Sequence, residues 1–216
     1  VREAFKRLSI AELSLVRDLP LRRERTEQSG GWAKGGLYEQ KGCFARIRMY
    51  AHAFSGRHLR FTGSPSRPMP KTIATILHEV GHALHHAPAR RIYCELEART
   101  KAFDKTRIQY NQVIRGTRKA QSHATTLKMQ KWLKSERDQL EKLLQTAETL
   151  SRKGPVLMAF EKVRKGRIGP TLYGASSLAE SFAEAFALFH SDRSALHRIW
   201  PNVTEWFAQG GHLKAK

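Results

Sequence analysis

Acidic residues are scarce in this 216-residue chain: 19 Asp+Glu stand against 39 Lys+Arg, a formal net charge of +20. A surplus of that size implies an acidic partner, whether nucleic acid, anionic lipid or acidic protein, and does not choose among them. Cysteine is scarcer still. Cys43 and Cys94 are too few for a disulfide framework and lack the paired spacing of a zinc site, which leaves the redox compartment open. No apolar run approaches the ~18 residues that a membrane span needs, which excludes a transmembrane helix. Aromatics are sparse where positive charge is densest. Between Asp104 and Glu136 only Tyr110 and Trp132 occur, which argues against a base-stacking surface there. Apolar content is ordinary: 40% of residues are hydrophobic, enough for one domain with a real core and too many for wholesale disorder. The chain opens on Val1 rather than Met and is read as a fragment or processed product, with any upstream leader or delivery segment outside it.

The first twenty residues read as helical, with Ser9 and Glu12 forming a capping box ahead of Leu13, Leu15 and Val16. Residues 21–36 are polar and glycine-rich and read as loop. Strict alternation from Phe44 to Phe54 predicts a half-buried strand, with Ala45, Ile47 and Met49 on one face. Its other face carries Arg46, Arg48, Tyr50 and His52. Taken as a sheet edge, that face suits an acidic or polar extended peptide, and Arg46, Arg48 and Tyr50 are the candidate substrate-binding residues. Leu37-Tyr38 and His58–Thr62 read as shorter strands.

From residue 71 to 86 the period becomes helical, through Ile73, Ile76, Leu77, Val80 and Leu84, with a stop expected at Ala87-Pro88. Residues 90–153 read as two long helices joined near Gly116–His123, an inserted antiparallel hairpin. Its seam runs through Met129, Leu133, Leu140, Leu143, Ala147 and Leu150, interrupted by Glu136. With 16 Lys+Arg against 7 Asp+Glu, this arm is a candidate docking surface for an acidic protein, nucleic acid or a membrane surface, the alternative being a solvated coiled-coil arm. A last helix is expected from about Ser177 to Phe189, followed by a helical stretch over Ala195–Phe207 broken at Pro201.

The chemistry concentrates in His78-Glu79-Val80-Gly81-His82, an H-E-x-x-H match inside the 71–86 helix. Residues i and i+4 share a helix face, so His78 and His82 can bind one zinc ion together, with Glu79 placed to act on its water. A catalytic zinc needs a third protein ligand. His86 lies eight residues past His78, a rise of ~12 Å, so His85 and His86 read as rim or surface residues. The better candidate is downstream, where Glu180 and Glu184 occupy i and i+4 of an otherwise apolar helix. Two carboxylates on one face repel unless a positive charge meets them. Zinc at Glu180 supplies it, and Glu184 can then accept the free ring N–H of a zinc-bound histidine. The bland alternatives are a capping role for Glu180 under Ser177, and for Glu184 an ion pair with a Lys or Arg.

The stretch Tyr173-Gly174 … Glu180-Ser181-Phe182-Ala183-Glu184-Ala185-Phe186 … His190-Ser191, with H-E-V-G-H upstream, resembles the gluzincin metallopeptidases of the anthrax lethal factor family, which includes the Pro-Pro endopeptidases and bacterial toxin peptidases. The resemblance covers the active-site helix and roughly the last fifty residues. It implies a Zn2+ enzyme that hydrolyses peptide bonds of a protein substrate, with Glu180 as the third ligand and the Tyr173 hydroxyl serving the transition state. It also implies an α+β zincin-like fold over 1–216: a small mixed sheet, an active-site helix and a C-terminal helical subdomain. The 90–153 hairpin has no counterpart assigned in that family and reads as an insertion between the second and third ligands. A toxin or effector origin, secretion or delivery into a target cell, and a cognate immunity protein follow from the resemblance alone. The competing expectation is a basic nucleic-acid-binding module on a zincin scaffold, or a protease recruited to nucleic-acid-bound proteins.

Overall fold

The computed structural model describes residues 1–25, 28–29, 32–33, 35–61, 65–116, 122–167 and 169–215. Two short helices open the chain, α1 (Arg2–Phe5) and α2 (Ile10–Val16). The capping box forms as the sequence demands: Ser9 Oγ accepts from Glu12 N–H at 3.2 Å, and Glu12 Oε2 accepts from Ser9 N–H at 2.6 Å. Strands β1 (Leu21–Glu24), β2 (Gln28–Ser29), β3 (Trp32–Ala33), β4 (Gly36–Lys41) and β5 (Phe44–Tyr50) follow, then a 3-10 turn (Ala51–Phe54) and the short pair β6 (His58–Leu59) and β7 (Met69–Pro70). Helices α3 (Lys71–Ile114), α4 (His123–Lys153), α5 (Pro155–Arg164), α6 (Leu178–Ser191), α7 (Arg193–Ile199), α8 (Pro201–Ala208) and α9 (Gly211–Lys214) complete the chain, with a second 3-10 turn at Gly174–Ser176. The fold is α+β, mostly helical, with a small mixed sheet. Among the described residues no helix is long and apolar enough to cross a membrane.

The chain divides into two compact units. The first comprises Val1–Lys41, Ala45–Ala87 and Lys153–Lys216. Its core is built where apolar periodicities converge. The stripe Ile76, Leu77, Val80 and Leu84 of α3 joins Phe182, Phe186 and Leu188 of α6, Phe160 of α5, Ile47 and Met49 of β5, and Trp200, Val203 and Phe207 from the C-terminal helices. Phe160 and Phe182 meet edge to face with ring centres 5.4 Å apart, the geometry aromatic quadrupoles favour.

Several expectations need correction here. Residues 21–24 are strand, not loop: β1 pairs parallel with β5, Leu21 opposite Ile47 and Glu24 opposite Tyr50. Its polar sequence hides the strand because Glu24 is spent on Arg48. The β5 strand ends at Tyr50, and residues 51–54 turn away as a 3-10 helix. Since the sheet order is β1-β5-β4, β5 is central and cannot be the edge that takes up an extended peptide. His58-Leu59 pairs with Met69-Pro70 rather than with β5. The α3 helix runs through Pro88. A proline there removes one i→i−4 hydrogen bond, and the turns on both sides carry the helix on. Residues 26–27, 30–31 and 34 of the expected loop, Thr62, and the hairpin connection 117–121 lie outside the described residues.

The second unit comprises Gly42–Phe44 and Pro88–Arg152, close to the expected 90–153 arm. Its helices run antiparallel, since Arg99 meets Glu136 while Phe103 meets Trp132, their rings 6.4 Å apart. Glu136, the residue that interrupts the apolar seam, is only 8% exposed. It accepts a two-pronged contact from Arg99, Nε to Oε1 at 2.7 Å and Nη2 to Oε2 at 2.8 Å, so the interruption is a satisfied polar layer of the hairpin. Trp132 is engaged in that packing. Unforeseen in the sequence, Cys43 and Cys94 form a disulfide, with Cα atoms 4.4 Å apart.

Candidate metal centre

Two helices of the first unit supply the centre. One turn of α3 projects His78 and His82 from the same face, as the i, i+4 spacing requires. Helix α6 projects Glu180 and Glu184. The helices approach closely because a glycine faces an alanine: a Cβ placed on Gly81 would lie 2.9 Å from the Cα of Ala183. The central glycine of H-E-V-G-H therefore sets the helix separation at the site.

The result is a nearly equilateral triangle. His78 Nε2 and His82 Nε2 are 3.1 Å apart, His78 Nε2 and Glu180 Oε2 are 3.1 Å apart, and His82 Nε2 and Glu180 Oε2 are 3.2 Å apart. Ligands of a tetrahedral zinc at ~2.0–2.1 Å are separated by about 3.3 Å, so this triangle fits one face of such a site and leaves a fourth position. Among the described residues it is the one group of three or more His, Cys, Asp or Glu side chains that could hold a metal ion.

The charge balance fits a cation as well. Burial works against charge on the His78 ring, yet the adjacent carboxylates of Glu180 and Glu184 outweigh this and carry its pKa up to about 10. Glu180 is also partly buried, and His78 and His82 hold its carboxyl well below the usual range. Two carboxylates thus converge on one imidazole, an arrangement that demands positive charge.

A surrounding layer orients these groups. Glu184 Oε1 lies 2.9 Å from His78 Nδ1, off the ring N–H direction. Its Oε2 accepts from Thr171 Oγ1 at 2.9 Å, and Thr171 Oγ1 in turn accepts from Gly174 N–H at 2.8 Å. Thr171 carries no motif and was not foreseen. On the other side, His82 Nδ1 and His85 Nε2 are 3.2 Å apart. Burial, then the neighbouring His86 and His82, push the His85 pKa well below its usual value, which keeps the ring neutral. His85 is therefore a buried neighbour of His82 and not a rim residue. His86 stacks on Tyr38, ring centres 5.4 Å apart.

Glu79 is buried beside the triangle, and its Oε2 accepts from Tyr38 N–H of β4 at 2.5 Å. That approach needs Gly36, where a Cβ would lie 2.9 Å from Glu79 Cγ. Burial raises the Glu79 pKa, which makes it a stronger base than a solvated carboxylate. Tyr173 is 59% exposed, its ring centre 5.8 Å from that of His78. Burial of its hydroxyl, then the charges of Glu180, Glu79 and Glu184, push its pKa up to about 12, so it stays a donor.

The bland alternatives fail on contacts. Ser177 Oγ does cap Glu180 N–H at 3.1 Å, but the Glu180 side chain goes to the histidines. Glu184 meets His78 and Thr171 rather than a lysine or arginine. The expected substrate-binding set is not at the site. Arg46 is paired with Glu39 at 2.7 Å, Arg48 donates to Glu24 at 2.6 Å, and Tyr50 is 0% exposed.

These contacts separate the roles of the two α6 glutamates. Glu180→Ala is expected to abolish zinc binding in a chelator-competition titration. Glu184→Ala, which frees the His78 ring to turn, is expected to weaken it about 10- to 100-fold. Equal losses in the two variants would contradict the assignment. Compared with protein-family models, curated proteins and solved structures, the chain matches none, so the centre is read from its own geometry.

Proposed function

We propose that this chain is a zinc-dependent endopeptidase of the gluzincin kind, on a zincin-like fold. The observation that carries the reading is the triangle of His78, His82 and Glu180, with the buried acid Glu79 and the hydroxyl donor Tyr173 on the same cleft. His78, His82 and Glu180 would hold the ion. Bound there, zinc supplies a Lewis acid and a water of pKa near ~7. Glu79, fixed by Tyr38 N–H, accepts the proton of the attacking water at its carboxylate and passes it to the leaving amine. Tyr173 donates its hydroxyl proton in a hydrogen bond to the developing oxyanion. Thr171 and Glu184 hold the His78 ring in place throughout.

The reading extends to a toxin or effector that acts on a protein substrate and is held in check by an immunity protein. The Cys43–Cys94 bond supports passage through a compartment where thiols oxidise. A second reading, nucleic-acid docking through the arm, is favoured by exposed Lys105, Lys128, Lys131 and Lys134. Trp132, however, stacks on Phe103, and between Asp104 and Glu136 it is the only aromatic besides Tyr110, which gives little for bases to stack on.

Terminal proteomics of a cell lysate tests the proposal. New protein termini are expected with the zinc-loaded wild type and none with Glu79→Gln, which keeps its metal. Proteolysis retained by Glu79→Gln would reject the role of Glu79. A salt-sensitive DNA complex without any new termini would favour the second reading.

A further inference from the structure

The cleft that opens onto His78 and Glu79 has a volume of about 740 Å³. Its two ends differ in charge. At the metal end its acids, Glu79 and Glu184, are engaged by Tyr38 N–H and by His78 and Thr171. The far wall is made by Arg57 and Arg60 around β6 and by Lys71 at the start of α3, with His52 and His58 beside them. The sequence between Glu39 and Glu79 contains no acid at all. Two arginines of that stretch, Arg46 and Arg48, are neutralised by Glu39 and Glu24. Among the described residues no carboxylate pairs with Arg57, Arg60 or Lys71.

The backbone holds this wall together. Lys71 N–H donates to Arg57 C=O at 2.9 Å, which seats the two residues side by side, and Thr72 Oγ1 donates to Ala53 C=O at 2.7 Å. Electrostatics agree with an unmet positive potential. Burial and then Arg57 lower the Lys71 pKa, and burial followed by Lys71 and Arg57 lowers that of His52. A folded protein that gathers like charges without a counter-charge meets a repulsion that an anionic ligand relieves.

We propose that the substrate is an acidic peptide, and that Arg57 and Lys71 take one of its Asp or Glu side chains at the end of the cleft away from the His78 and Glu79 pair. This rests on the peptidase reading and names its substrate class. It also relocates the acidic preference from the β5 face, where the arginines are already paired, to the cleft wall.

The test separates binding from cleavage. Two labelled octapeptides are used, alike except that two glutamates in one are glutamines in the other, together with a labelled single-stranded DNA octamer. Binding to zinc-loaded Glu79→Gln is read by fluorescence anisotropy, and cleavage by the wild type is followed in parallel. The glutamate peptide is expected to bind about tenfold more tightly at low salt and to lose that advantage at high salt. The advantage should vanish when Arg57→Ala and Lys71→Ala are added. With Arg57→Glu and Lys71→Glu instead, preference should pass to a lysine-containing peptide, an outcome that a merely misfolded variant cannot produce. Equal binding of the two peptides, or tighter binding of the DNA, overturns the proposal. Acid-selective binding with no wild-type cleavage removes the peptidase reading and leaves the acidic ligand. Cleavage indifferent to charge removes the acidic ligand and leaves the peptidase.

Discussion

Gly81→Ala is expected to weaken zinc binding by about tenfold, and Gly81→Val by about a hundredfold. The reason is steric and local. The added Cβ would meet the Ala183 Cα at 2.9 Å, a backbone atom that cannot swing aside. Helix α6 must therefore move away from α3, and Glu180 moves with it. Metal-binding constellations tolerate about 0.5 Å of displacement, and relieving this contact takes that much or more. The sign of the stability change is informative. At an unencumbered helix position, Gly→Ala stabilises by about 1 kcal/mol. Overpacking at a close helix contact instead costs about 1–3 kcal/mol. Metal affinity by chelator competition and thermal unfolding of the metal-free protein, measured on wild type and both variants, read the two effects separately. A Gly81→Ala protein that is more stable and binds zinc normally would show that the helix separation is set elsewhere.

Glu12→Ala is expected to cost about 3–5 kcal/mol of stability at neutral pH, because it dismantles a buried polar cluster that ties α2 to α6 and α9. Glu12 is 2% exposed. Its Oε1 accepts from His190 Nε2 at 3.0 Å and His212 Nε2 at 2.8 Å, while its Oε2 accepts from Ser9 N–H at 2.6 Å. One carboxylate thus joins α2, the end of α6 and the C-terminal α9. Burial alone would raise the Glu12 pKa, but the hydrogen bonds from His190 and His212 outweigh it and hold the carboxyl well below the usual range. A folded-state pKa below the unfolded one means that the stabilisation is complete above the unfolded value of about 4.3 and drains away as pH falls further. Chemical denaturation at pH 7 and at pH 3.5 should therefore show a gap between wild type and Glu12→Ala that narrows in acid. A gap independent of pH would place the effect in packing rather than in the charge.

Much of the candidate metal centre was legible because it is built on helices. Helical period puts His78 with His82 and Glu180 with Glu184, and the repulsion within the glutamate pair signals a missing cation before any fold is known. The capping box at Ser9, the α7–α8 break at Pro201 and the antiparallel arm were legible for the same reason, since local spacing carries each of them. What stayed hidden depends on partners distant in sequence. β1 looks like loop because its glutamate answers an arginine 24 residues on. Arg46 and Arg48 look available until Glu39 and Glu24 are seen beside them. His85 looks like a surface residue until α6 covers it with Phe182, their rings 5.8 Å apart. Pro88 shows the opposite failure, where a strong local signal to stop a helix is overridden.

The Cys43–Cys94 bond closes a covalent ring through the chain, with a sequence separation of 51. His78, Glu79 and His82 lie inside that ring, whereas Tyr173, Glu180 and Glu184 lie outside it. A protease that nicks the backbone anywhere from Phe44 to Tyr93 therefore opens a loop without releasing a fragment. The nicked protein keeps its mass until a reductant is added, and only then separates into two pieces, one of which carries the H-E-V-G-H histidines or the α6 glutamates without the other whenever the cut falls after His82.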